Sequence, residues 1–332
     1  MADPVLVEVT RGGIVESRHR GAVAVVDASG GVVAAIGDID QVVFPRSTVK
    51  AIQALPLVES GAADRYGFGP AELALACSSH NGEPRHVATA QKMLAAAGRS
   101  AADLECGPQV PSSESAAAAL FRAGERPGPI HNNCSGKHAG FICFACHEGI
   151  DPRGYVRPDH PVQRSVTAAL ADVTGTALDE RNRGIDGCSI PTYAIPLKNL
   201  ARGFARFVTG EGLAEKRAAA ARRLVAASAA EPWMIGGTGR FVTEVLEKLG
   251  GTVFAKDGAE GTFCAAFREV GLGMAVKCDD GAGRAADVIL GAVIEAFVAP
   301  GAELSRRPVK SRRGEVVGEV RAVHNLKEML TK

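Results

Sequence analysis

Apolar and polar positions alternate at the start of the chain, Val5-Leu6-Val7-Glu8-Val9, up to a turn signal at Arg11-Gly12-Gly13. Alternation with period two predicts a half-buried strand. Apolar runs over 22–26 and 32–36 flank Asp27-Ala28-Ser29-Gly30-Gly31, which reads as a hairpin loop between two more strands. From Ser47 to about Ala230 the period lengthens to that of a helix. The spacing predicts helices over 47–60, 70–77, 84–97, 115–122, 136–148, 161–173, 195–208 and 214–229, most of them divided by glycine or proline. Pro56 lies inside the first and should kink or shorten it. A further helix is expected over 240–249. Short apolar runs over 252–256, 262–267 and 273–277, joined by glycine-rich turns, then restore the strand pattern. An apolar helix over 285–298 should lie buried against the sheet, and 316–323 is either a last strand or a tail.

This order, strands then a long helical block then strands and a helix, predicts an α+β fold. One antiparallel sheet is made from both chain ends, with a helical region inserted between them. A single domain would then have a sheet lobe, 1–43 plus 236–332, and a helical lobe, 44–235. A site would sit where the first inserted helix meets the sheet, and Ser47 lies at that seam.

Composition narrows the function. Of 332 residues, 46% are hydrophobic and 23% charged, and the net charge is only +1. That balance supplies no basic field for nucleic acid or an anionic membrane surface. The one basic cluster, Arg306, Arg307, Lys310, Arg312 and Arg313, has no interleaved aromatics and reads as a solvated tail. The opening residues lack the pattern of a signal peptide, and no apolar window is long enough to span a membrane. A cytoplasmic protein is expected. Its eight cysteines should then be reduced thiols, free for metal or catalysis.

Candidate chemistry starts at Phe44-Pro45-Arg46-Ser47-Thr48-Val49-Lys50. Pro45 places a helix start near Ser47, with Ser47 at the N-cap and Lys50 in the first turn. Positions i and i+3 share a helix face, so the hydroxyl and amine can meet, and a neutral lysine can activate a serine. The plain alternative is a capping serine beside a solvated lysine. Cys77-Ser78-Ser79-His80-Asn81-Gly82-Glu83 is either a helix–helix turn or a loop presenting Ser79. His131-Asn132-Asn133-Cys134-Ser135-Gly136-Lys137-His138 is the densest polar run in the chain, and Cys134 with Lys137 or His138 could share a metal. Asp186-Gly187-Cys188 adds an acid and a second thiol, making a two-thiolate zinc site conceivable. Cys143-x-x-Cys146 has a familiar metal spacing but sits among Phe141, Ile142 and Phe144, which favours core over ligand. Lys256, at a predicted strand end before glycines, is either a charged hairpin residue or an amine presented to a site.

Taken in order, FPRSTVK, CSSHNGE, HNNCSGKHAG, DGCSIPT and AKDGAEG, with the opening VEVTRGGIVESRHRG, resemble the zinc-binding Ser/Lys-type L-asparaginases, the class 3 or rhizobial-type family. The resemblance runs over essentially the whole chain. It implies a fold like that of serine β-lactamases and serine-dependent glutaminases, and two Ser/Lys pairs, Ser47 with Lys50 and Ser79 with Lys256. It also implies one zinc per chain on Cys134, Lys137 and Cys188, substrate-binding roles for Arg46, His138 and Asp186, and a homodimer. The expected reaction is hydrolysis of L-asparagine through a Ser47 acyl-enzyme. The alternatives are a serine glutaminase or related amidase of the same fold, and a non-catalytic module stapled by zinc.

Overall fold

The 14-residue strand Ile14–Asp27 carries the sheet. In this computed structural model, which describes residues 2–331, its second half is buried at every position from Gly21 to Val26. Its first half is rich in charge (Glu16, Arg18, Arg20), which is why the apolar pattern begins only at Ala22. The strand pairs along one side first with Val5–Arg11 and then with Val32–Ile36, and along the other with Leu272–Cys278. From there the sheet continues to Thr262–Phe267 and Val253–Asp257. Beyond Val5–Arg11 it continues to Val316–Ala322 and ends at Arg306–Lys310. Every pairing named with a register is antiparallel, so both chain ends build one antiparallel sheet, as the alternation predicts. The expected hairpin loop forms around Asp27, whose Oδ1 accepts from Ser29 Oγ and from the N–H groups of Gly30 and Gly31.

Contacts divide the chain into two units. The sheet unit comprises Met1–Thr48, Ile195–Thr209 and Ala255–Lys332; the helical unit comprises Val49–Ala194 and Gly210–Phe254. In the sheet unit, helix Leu197–Thr209 packs on strands Ile14–Asp27, Thr262–Phe267 and Leu272–Cys278. Helix Gly283–Phe297 packs on the same sheet along its strongly apolar face, as expected. In the helical unit, Ser135–His147 is the central helix: every residue from Ser135 to Ala145 is buried. A helix surrounded on all sides needs small or apolar residues all round, and Gly136, Ala139, Gly140 and Ile142 supply them.

Three sequence expectations need correction. The single helix over 47–60 is a 3-10 turn, Arg46–Val49, followed by Lys50–Gln53 and, after a break at Ala54, Leu55–Glu59. Pro56 causes the break, since it fits only in a first turn. Ser47 therefore sits inside a 3-10 turn and is not an N-cap. The basic cluster is no tail either. Arg306–Lys310 is an edge strand, and its charges with Pro308 protect that edge from further pairing. Finally, the chain adds a helix, Leu326–Thr331, that the pattern did not announce.

Helix Leu197–Thr209 meets the sheet very closely at Gly273, where an added Cβ would lie 2.0 Å from Ala201 O and 2.5 Å from Ala205 N. Both are backbone atoms and cannot yield cheaply. Gly273→Ala should therefore destabilise the fold by about 1–3 kcal/mol, read as a lowered urea midpoint with an unchanged m-value.

Candidate active site

The sheet unit holds Arg46, Ser47 and Lys256. Arg46 opens the 3-10 turn in a left-handed conformation, φ 51°, a cost that non-glycine residues bear rarely outside functional segments. Ser47 follows it, half-buried, and Thr48 closes the turn by donating its hydroxyl to Pro45 O at 2.8 Å. Lys256, the last residue but one of strand Val253–Asp257, is fully buried. Its amine donates to Asp257 O at 2.9 Å and to the Asp257 carboxylate at 2.5 Å. The next residue, Gly258, packs against the Ser47 turn: a Cβ there would meet Thr48 Cγ2 at 2.9 Å and Pro45 O at 3.0 Å. The strand end thus brings the Lys256 segment beside the turn that carries Ser47.

The helical unit holds the remaining candidates. Lys50 is 1% exposed, and its amine donates to Ser78 O at 2.6 Å, Ser79 Oγ at 2.9 Å and Asn133 O at 3.5 Å. Ser79 lies in the loop after helix Pro70–Ala76, and its N–H donates to Ile235 O at 2.9 Å. The amine therefore joins the Cys77–Glu83 loop to the Asn133 loop. His80 reinforces the same junction: its Nδ1 accepts the Gly82 N–H at 3.0 Å, so Nε2 donates to Ser135 Oγ at 2.9 Å. Its ring stacks on His86, centroids 4.9 Å apart, and His86 stacks on Trp233 at 4.0 Å. Burial pushes His80 well below the usual imidazole range, and the neighbouring His86, Lys50 and His131 push the same way.

Cys134, Lys137 and Cys188 form a buried cluster. Lys137 Nζ lies 3.2 Å from Cys188 Sγ, and Cys134 Sγ lies 3.1 Å from Asn133 Oδ1. A hydrogen bond from Cys188 draws the Cys134 thiol well down against burial, and the Lys50 and Lys137 amines act in the same direction. Cys188 is pushed up correspondingly. Burial opposes the Lys137 ammonium, but Cys188, Cys134 and Asp186 outweigh it and hold its pKa up. Helix Ser135–His147 reaches this position because Gly136 lies against Leu75, where a Cβ would be 2.4 Å from Leu75 O. Cys188 sits in a short hairpin, Arg183–Ile185 paired with Pro191–Tyr193, whose loop is shaped by Asp186: its N–H donates to Ile190 O, and its carboxylate accepts the Cys188 N–H at 3.3 Å. Cys143, by contrast, is a core thiol donating to Met93 O. His138 is fully buried, its Nδ1 2.7 Å from the Tyr155 hydroxyl. Among the described residues, no group of three or more His, Cys, Asp or Glu side chains is placed to hold an ion. The Cys134–Lys137–Cys188 set, with an amine as third donor, lies outside that count.

A family model described as L-asparaginase II matches residues 7–322. The chain belongs to the L-asparaginase II family. Membership makes it an amidohydrolase acting on L-asparagine. Among solved structures it is similar to a β-lactamase from Mycobacterium bovis, at 16% identity over 83% of this chain and 94% of that one, with a TM-score of 0.40. It is also similar to the protein Mglu in its native form, at 16% identity over 84% of this chain and 64% of that one, with a TM-score of 0.39. No curated protein matches the sequence.

Several groups beside the candidate residues carry no signal of their own in the sequence. His80 and Asn133 lie inside motifs that stood out, but nothing in the spacing gives them partners. Asp257 follows Lys256 directly, so a strand-end lysine next to an acid could have been read as a pair. Tyr155 and Trp233 come from separate segments, and only the fold brings them to His138 and His86.

The stacked column has a consequence for acid stability. His86 is fully buried, and burial lowers its pKa to about 4. The unfolded chain takes up this proton near 6.5 and the folded chain only near 4, so stability present above 6.5 is lost as the pH falls towards 4. The loss at His86 alone amounts to about 3 kcal/mol at pH 4. Urea midpoints at pH 7 and pH 4.5 should therefore fall further apart for the wild type than for His86→Phe, which keeps the stack and cannot titrate.

Proposed function

We propose that the chain hydrolyses the side-chain amide of L-asparagine through an acyl-enzyme on Ser47, with Lys50 as its base. The supporting observation is the buried Lys50 amine, held at Ser79 Oγ and two carbonyls and placed three residues after Ser47 in consecutive helical turns. Neutral Lys50 takes the Ser47 proton as the oxygen bonds to the amide carbon. Collapse of the tetrahedral intermediate breaks the C–N bond, and the departing nitrogen takes a proton through Ser79 and leaves as ammonia. Water then cleaves the ester, with Ser79 and Lys256 as the second pair, giving L-aspartate and free Ser47. Arg46, Asp186 and His138 are assigned to the charged ends and oxygens of the substrate. Ser47→Ala should lower ammonia release from L-asparagine by a factor of about 10³ or more. Ammonia from L-glutamine in preference to L-asparagine would move the assignment to a glutaminase. Retention of most activity in the variant would remove Ser47 as nucleophile.

Cys134, Lys137 and Cys188 would hold a zinc ion. The donor set fits: two buried thiols and a buried amine, with Lys137 Nζ and Cys188 Sγ 3.2 Å apart, close to the roughly 3.5 Å between two ligands of one tetrahedral zinc. Bound there, the ion supplies positive charge near substrate and staples two loops, and Lys137 must give up its proton to bind it. Metal analysis of purified protein should find one zinc per chain. Chelation should lower the melting temperature, and Cys188→Ser should lower zinc content and melting temperature together.

The remaining expectations belong to the same proposal. All eight cysteines are free thiols, which suits a reducing cytoplasm. No helix among the described residues is long and apolar enough to cross a membrane. The homodimer rests on the family resemblance.

A further inference from the structure

Tyr155 is among the largest fully buried side chains, yet the reaction gives it no part. Its hydroxyl oxygen accepts the Glu105 N–H at 2.9 Å and lies 2.7 Å from His138 Nδ1. Its backbone is pinned as well: Gln163 Nε2 donates to Tyr155 O at 2.9 Å, and Glu105 Oε1 accepts the Gly154 N–H at 2.7 Å. The Tyr155 and His138 rings meet edge-on, centroids 5.4 Å apart.

A phenol has one proton to give, and a neutral imidazole has one donor and one acceptor nitrogen. If Tyr155 donates to Nδ1, the His138 proton must be on Nε2, and that N–H is then a buried donor with no partner among the described residues. If Nδ1 carried the proton, the Tyr155 hydroxyl would accept twice and its own O–H would lack an acceptor. The Nε2 lone pair would be unmet too. The first arrangement leaves one buried polar group unsatisfied and the second leaves two, so the first is favoured. A buried donor kept without a protein acceptor is suited to an oxygen that arrives with a ligand.

We propose that Tyr155 is a positioning residue: its hydroxyl fixes His138 as the Nε2–H tautomer and so presents a preset hydrogen-bond donor to an oxygen of the carboxamide substrate. The tautomer lock stands on the geometry alone. The identity of the substrate rests on the acyl-enzyme reading.

Nitrogen-15 labelling of the eight histidines allows both parts to be read, with His138 signals assigned by their loss in His138→Gln. The wild type should show a pyrrole-like Nε2 and a pyridine-like Nδ1, and Tyr155→Phe should shift both towards a tautomer mixture. In the same variant kcat/KM for L-asparagine should fall about tenfold, the size of one well-placed hydrogen bond. In the His138→Gln background, whose amide N–H donates without help, the second change should cost less than about twofold. A melting curve for Tyr155→Phe checks that the chain is folded. A protonated Nδ1 in the wild type, or an unchanged spectrum in Tyr155→Phe, overturns the lock. A shifted tautomer with equal kinetic losses in both backgrounds overturns the substrate-facing role. Neither result touches Ser47, whose role is decided by ammonia release from Ser47→Ala.

Discussion

The helical unit depends on one buried amine. Lys50 has its Nζ surrounded by Ser78 O, Ser79 Oγ and Asn133 O. An amine this deep is tolerable only among polar partners, and two carbonyls and a hydroxyl supply them. Two of those acceptors come from the loop after one helix and the third from the loop before another. The bond set therefore fixes two loops relative to each other. The Cys134 thiol is drawn down in part by the same amine. Removing Lys50 would disturb both loops, the Ser79 hydroxyl and the thiol cluster at once.

That arrangement needs close backbone approach, and the sequence provides it. Gly136 lets helix Ser135–His147 touch Leu75, which places Cys134 and Lys137 beside the end of helix Pro70–Ala76. His80 then bridges the two loops through Gly82 and Ser135. The His80–His86–Trp233 stack carries this support outward, and its neutral imidazoles are retained at the expense of acid stability. In the sheet unit a similar economy holds: Gly258 packs on the Ser47 turn, so the strand bearing Lys256 and the turn bearing Ser47 are set together.

Much of this was legible in the sequence because periodicity is a local signal. Strand Thr262–Phe267 falls where the apolar run lies, and both chain ends join one sheet. Where local and tertiary forces disagree, the pattern misled. The charged half of Ile14–Asp27 hid a strand, Pro56 split a helix, and the basic residues 306–310 read as a tail although they form an exposed edge strand. The motifs marked the candidate residues, but not how they pair. Spacing suggested Lys50 with Ser47, and the fold adds a 2.9 Å bond from Lys50 to Ser79. Asp257 beside Lys256 and Tyr155 beside His138 depend on side-chain direction and chain crossing, which a linear pattern does not encode.

The central claim is a covalent intermediate on Ser47. Rapid mixing with L-asparagine, an acid quench within the first turnovers, and peptide mass spectrometry test it most directly. The account predicts an aspartyl adduct on the peptide containing Ser47, present in the wild type, absent in Ser47→Ala and lost over time as the ester hydrolyses. An adduct on another residue, or steady ammonia release with none formed when deacylation is slowed in Lys256→Met, would contradict it.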